Sequence, residues 1–158
     1  MMGLANFHTK DFFWGITLGL LPAMTVVLLD TLIVQTGLAE NVLFSGAELR
    51  KPENFSNIDI LLAGFFNPVF SQLFITGYVL NSLIKNNAMT IPGNGILFSS
   101  INFNLGMGYL GLGMISAGLL KVTGSLIPAI FFSVGCALAK ILILTTCPRI
   151  TTILVFLV

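Results

Sequence analysis

Charge is what this chain has least of. Aspartate, glutamate, lysine and arginine make up 8% of its 158 residues, against 56% hydrophobic ones. Soluble domains carry about a quarter charged residues. With a mean hydropathy of +0.99, the chain cannot coat itself for water, and a soluble globular domain is excluded. A net charge of +1 gives no electrostatic footprint for nucleic acid, which is not expected as a partner. Histidine occurs once, as His8, ahead of the first apolar run, and cysteine twice, at Cys136 and Cys147. Two cysteines in the apolar C-terminal third make neither a disulfide framework nor a metal site. No nucleotide loop, haem motif or Cys/His cluster is present. No cofactor is therefore predicted, although a bound lipid or pigment is compatible with so apolar a surface.

What remains is a series of long apolar runs. They predict an all-α integral membrane protein, a polytopic bundle of about four to five transmembrane helices of about 20 residues each. The spans are expected at about 12–36, 58–84, 95–120 and 126–146, in one transmembrane domain covering 1–158. Residues 1–11 are polar enough to precede the membrane, and the run after them is too long for a signal peptide. The first span carries Gly15, Gly19 and Ala23 four apart, a small-residue ridge for close helix packing. Pro22 is expected to kink it, and Trp14 suits an interfacial anchor. Asp30 is the only acid deep in an apolar run. It is either a functional buried carboxylate or a residue reaching the headgroups from the end of its span.

Residues 37–57, with Glu40, Glu48, Arg50, Lys51 and Glu53, form an extramembrane loop, with a short interfacial helix around 41–49. Residues 86–95, with Pro92, Gly93 and Gly95, read as a turn-rich connector. The following run holds Gly106, Gly108, Gly111, Gly113 and Gly118. Gly113 and Ala117 have the spacing for close helix contact. Alternatively, the glycines let the backbone break inside the membrane beside Asn102 and Asn104. Lys121 to Ser125 form a polar turn, and the last span aligns Ala129, Ser133 and Ala137. Lys140 is expected to snorkel from its end. Residues 150–158 are too short to cross alone. With four spans and the N-terminus inside, Lys10, Lys85, Lys140 and Arg149 are cytoplasmic, against Arg50, Lys51 and Lys121 outside. That balance favours N-in by one residue.

The stretch from Phe66 to Lys85 (FNPVFSQLFITGYVLNSLIK) carries the clearest polar pattern. Asn67, Ser71, Gln72 and Thr76 recur at near-helical spacing, on one broad side that can meet a neighbouring helix. Asn67, Asn102, Asn104 and Asp30 are the candidate polar or binding residues. This stretch resembles the signature helix of the CPBP (Abi, type II CAAX protease-like) family of intramembrane endopeptidases, which carries Glu-Glu-x-x-x-Arg-Gly. In frame through Gly77, the acids fall at Ser71 and Gln72 and the arginine at Thr76. The segment SSINFNLGM is similar to the family's Phe-x-x-x-His element, with Phe103 kept and Met107 at the histidine. KVTGSLIPAIFFSVGCALA resembles a later element, which puts Ser133 at a second histidine and Ala137 at an asparagine.

Family members are expected to activate water with glutamate and histidine. Ser71, Gln72, Thr76, Met107, Ser133 and Ala137 form a degenerate version of that site without a general base. The resemblance therefore implies a pseudoenzyme with no catalytic residues, acting as a structural or accessory subunit of a larger membrane complex. Membrane lipids and other membrane subunits are the expected partners. A bacterial inner membrane, or an organelle of bacterial descent, is the implied location. The alternatives are a peptide-binding, bacteriocin-immunity-like protein, a transport module using Asp30, or an active intramembrane protease. The last would need a Ser133–Lys140 dyad with a desolvated lysine, or facing aspartates drawn from Asp30 and Asp59.

Overall fold

A computed structural model describes residues 9–36, 54–80, 89–101 and 107–148, apart from the side chains of Asp11 and Met107. Most of the loop expected at 37–57 (residues 37–53), Asn102, Asn104 and the C-terminal residues 149–158 lie outside the described residues. The described residues are almost wholly helical. They form α1 (Thr9–Thr36), α2 (Asn57–Val79), α3 (Thr90–Ile101), α4 (Met107–Thr123) and α5 (Ile127–Thr146). By length and composition α1, α2 and α5 are able to cross a bilayer. The protein is an all-α integral membrane bundle.

The α1 ridge explains how its helix docks. A Cβ on Gly19 would lie 2.5 Å from the Phe132 carbonyl oxygen and 2.7 Å from the Gly135 Cα. A Cβ on Gly15 would lie 2.8 Å from the Pro128 oxygen. Only glycine permits two backbones to approach this closely, and in lipid such packing replaces the missing hydrophobic drive. The buried stripe continues through Ala23 and Val26 to Asp30, which is 8% exposed. Asp30 is thus turned inward, not outward to the headgroups. The other side of α1 is exposed, with Phe13, Trp14, Met24 and Leu28. Threonines there bond their own helix: Thr25 Oγ1 donates to the Pro22 carbonyl at 2.8 Å and Thr36 Oγ1 to the Leu32 carbonyl at 2.8 Å. That satisfaction lets polar side chains face an apolar solvent.

The register of these contacts fixes direction. Gly15 meets Pro128 and Phe131, and Gly19 meets Phe132 and Gly135, so α1 and α5 run parallel. Gly64 meets Leu138 and Ile141, whereas Gly77 meets Leu126, so α2 runs antiparallel to α5. Parallel first and last helices require an even number of chain reversals between them. The chain supplies four, because the single span expected at 95–120 is described as two helices, α3 and α4. Their lengths are about 18 and 26 Å at 1.5 Å per residue. Lys121, in the last turn of α4, therefore lies at the same end of the bundle as Lys10 in α1. The four-span count placed these two on opposite sides, and the N-in preference drawn from it does not hold.

The connector expected at 86–95 is also corrected. From Thr90 onward it is helix, and Pro92 sits in the first turn, where its missing N–H deprives the helix of no bond. Gly95 is needed further along: a Cβ on Gly113 would meet the Asn94 oxygen at 2.6 Å and the Gly95 Cα at 2.8 Å. The α3–α4 pair is thus closed like α1–α5. Similarly, the polar turn expected at Lys121–Ser125 narrows, since Lys121 to Thr123 still belong to α4. Gly124 makes the turn at φ +67°, in the left-handed region favoured by glycine. Thr123 Oγ1 donates back to the Leu119 carbonyl at 2.7 Å and accepts from the Ser125 N–H at 3.2 Å.

Two measurements check this arrangement. Cysteines at Thr9 and Val122 should react with an impermeant thiol reagent from one side of the membrane, and cysteines at Thr36 and Ser56 from the other. Labelling of Thr9 and Val122 from opposite sides would refute the parallel register. In detergent unfolding, Gly19→Val should cost about 2–3 kcal/mol through overpacking. Gly111→Ala, where a Cβ would meet nothing within 4 Å, should be neutral or slightly stabilising.

Candidate functional site

Helix α2 is not a plain α-helix. Leu62–Phe66 and Gln72–Val79 are π-helical, with Asn67 N–H donating to Leu62 O and Leu80 N–H to Ile75 O, five residues back. A four-residue step over-rotates by about 40° on an α-turn and under-rotates by about 30° on the wider π-turn. Alternating the two keeps residues four apart in line. Gly64, Pro68, Gln72, Thr76 and Leu80 accordingly form one buried stripe. Phe66, Phe70, Phe74 and Tyr78 form an exposed one, with Phe66 stacked on Phe70 and Phe74 on Tyr78, each pair at 6.3 Å between ring centroids.

The inward stripe carries the polar centre. Gln72 is 0% exposed. Its Nε2 donates to Ser116 Oγ of α4 at 2.7 Å and to Ser133 Oγ of α5 at 3.0 Å. Its Oε1 accepts from Thr76 Oγ1 at 2.7 Å. Thr76 in turn accepts from Asn94 Nδ2 of α3 at 3.1 Å, and the same Nδ2 donates to the Gly113 carbonyl at 2.7 Å. Turned over, the Gln72 carboxamide would accept from both serine hydroxyls and donate to Thr76, so the cluster closes in either sense. Four helices are joined through neutral amides and hydroxyls, all buried. Such groups need no counter-ion and no water once they satisfy one another.

The structure thus brings Gln72, Thr76 and Ser133 together. Ser71 does not join them. It is half-buried on the flank of α2, and its hydroxyl donates to Asn67 Oδ1 at 3.5 Å. Asn67 itself is exposed, so the one polar side expected for α2 is in fact two, separated by the π-helical winding. Ala137 is half-buried in α5. Asp30 is buried near the C-terminal end of α1. Sequence reasoning missed Asn94 and Ser116. Asn94 was hidden in a stretch read as connector, although Gly93 and Gly95 beside it signal a polar residue held in a close helix crossing.

Other chemistry fares as follows. Asp59 is exposed in the first turn of α2, where its carboxylate accepts from the Ser56 N–H and hydroxyl in a capping box. Asp30, by contrast, is buried. Lys140 is exposed on α5, whereas Ser133 is buried with its hydroxyl held by the Gln72 amide at 3.0 Å. Among the described residues no group of three or more His, Cys, Asp or Glu could hold a metal ion.

The family model for type II CAAX prenyl endopeptidase Rce1-like proteins matches residues 22–139, a stretch that takes in Gln72, Thr76, Asn94, Ser116 and Ser133. The chain belongs to that family of membrane proteins. No curated protein and no solved structure matches it.

Two substitutions test the cluster. Gln72→Leu should destabilise the bundle by about 1–2 kcal/mol, the scale of a few membrane-buried hydrogen bonds. Gln72→Glu, nearly isosteric, should cost more at neutral pH, because a carboxylate within the membrane costs about 2.5–3.5 kcal/mol. Protonation removes that charge. Its penalty should therefore shrink as pH falls and the proton is taken up. Detergent unfolding of both variants at neutral and acidic pH checks this, and a Glu variant as stable as the native protein at neutral pH would refute it.

Proposed function

We propose that this protein is a non-catalytic member of its family and serves as a structural or accessory subunit of a larger membrane complex. Its membrane is that of a bacterium or of an organelle of bacterial descent. The observation that supports this reading is the mutual satisfaction of Gln72, Thr76 and Ser133. By the sequence resemblance, these fall where the family carries glutamate, arginine and histidine. Activation of water needs a titratable base within hydrogen-bond reach, and a carboxamide and hydroxyls supply none at neutral pH. With its interior closed by its own hydrogen bonds, the protein has its outer surface left for contacts. That surface favours an accessory role over capture of a peptide within the bundle.

The test is gentle solubilisation of native membranes, sizing on a native gel and mass spectrometry of the band that contains the chain. Co-migration with fixed partners in a large assembly is expected. Migration at the 17.0 kDa of the chain plus detergent would end the subunit reading and favour the peptide-binding one. Incubation with a prenylated peptide should give no cleavage above the protein-free control. Cleavage that is lost in Ser133→Ala would make the protein an enzyme.

A further inference from the structure

Helices α3 and α4 stop short of their neighbours at one end. Asn94 and Thr76 share a level, because a hydrogen bond of 3.1 Å joins them. From that level α3 continues to Ile101, about 10 Å, whereas α2 runs back to Asn57, about 25 Å with its tighter π-turns counted. Likewise Ser116 and Ser133 meet at the Gln72 amide. From there α4 reaches back about 13 Å to Met107, and α5 goes on about 20 Å to Thr146. The close contact of Gly113 with Asn94 and Gly95 locks the pair, so neither helix can slide outward to make up the difference. The exposed carboxylate of Asp59, in the first turn of α2, marks the membrane surface on that side. The α3–α4 hairpin therefore reverses below that surface, within a hydrocarbon core of about 30 Å.

Two side chains at that reversal point to what surrounds it. Exposed threonines within α1 and α5 return their hydroxyls to their own helix, as Thr31 Oγ1 does to the Leu28 carbonyl at 2.8 Å and Thr146 Oγ1 to the Leu142 carbonyl at 2.7 Å. Ser100, in the last turn of α3, is exposed, and Tyr109, in the first turn of α4, is half-buried. Among the described residues neither hydroxyl makes a hydrogen bond. Acyl chains would leave both unsatisfied, and they would also leave bare the end carbonyls of α3 and the end amides of α4. We propose that water entering from the side of Thr36 and Ser56 fills the space above the hairpin. The result is an aqueous recess in that half of the bilayer. It ends at Phe98, which is 2% exposed and lies one turn short of Asn94, so the polar centre stays dry. This inference does not depend on whether the protein is catalytic or a subunit.

Thiol labelling tests it in the full chain, in sealed native membrane vesicles, with Cys136 and Cys147 replaced by alanine. The probe is an impermeant, water-soluble maleimide, and each rate is normalised to labelling after denaturation. Ser100→Cys, a near-isosteric change at an exposed position, should label from the side that reaches Ser56→Cys. Phe70→Cys is the comparison, since Phe70 is exposed at a similar depth on the outer side of α2. Ser100→Cys should react at least about tenfold faster, because the thiolate is the reactive form and a thiol among acyl chains is not ionised. Equal rates at the two positions would overturn the proposal, whether lipid or other protein fills the space. Labelling of Ser100→Cys from the side that reaches Thr9→Cys would overturn it as well.

Discussion

Inside a membrane no water waits to accept a broken hydrogen bond, and the bundle is arranged around that constraint. Gln72 brings a carboxamide with two donors and an acceptor into the interior, and each must find a partner on another helix or on its own. Ser116, Ser133 and Thr76 meet them, and Thr76 passes the linkage on to Asn94 and the Gly113 backbone. Each such bond contributes modestly, about 0.6 kcal/mol on average in membranes. Their larger effect is on register. A shift of one turn between α2 and α5 would strand the amide among apolar side chains, so one alignment is selected from many of similar packing.

Close backbone contact supplies the second kind of attachment. Gly19 against Phe132 and Gly135, and Gly113 against Asn94 and Gly95, are approaches that no other residue allows. The two attachments divide the molecule. Helix α1 is held to α5 through glycine, whereas α2, α3, α4 and α5 share the polar centre. The α3–α4 hairpin uses both, because Asn94 is at once a hydrogen-bond donor and a backbone neighbour of Gly113. Any substitution at Gly113 would therefore disturb the polar centre as well as the packing.

The sequence made the solvent, the helical class and the outline of the site legible, because composition and small-residue spacing report these directly. It concealed what depends on winding and on position within a turn. Pro92 and Gly95 have the composition of a connector, but in α3 the first falls where no N–H is required and the second where a backbone must approach. Asn67, Ser71, Gln72 and Thr76 look like one face at 3.6 residues per turn, and the π-helical segments separate them into inner and outer rows. The exact period of four from Gly64 to Leu80 and from Phe66 to Tyr78 was the available signal, since a plain α-helix would rotate such rows out of line. Asp30 posed a question of orientation, answered by its burial, which the sequence did not contain.

The neutral composition of the centre and its dryness depend on each other. A glutamate at Gln72 would need a cation or water beside it, and Thr76 is too short and too closely held by Asn94 to be exchanged for arginine without opening the α2–α3 contact. A histidine at Ser133 would need the volume now filled by the Gln72 amide. Introducing any one charged group alone therefore buries it unpaired, the costly case for an ion in low dielectric. On the proposed reading, loss of the charged groups and closure of the cavity that would hold water are one structural change.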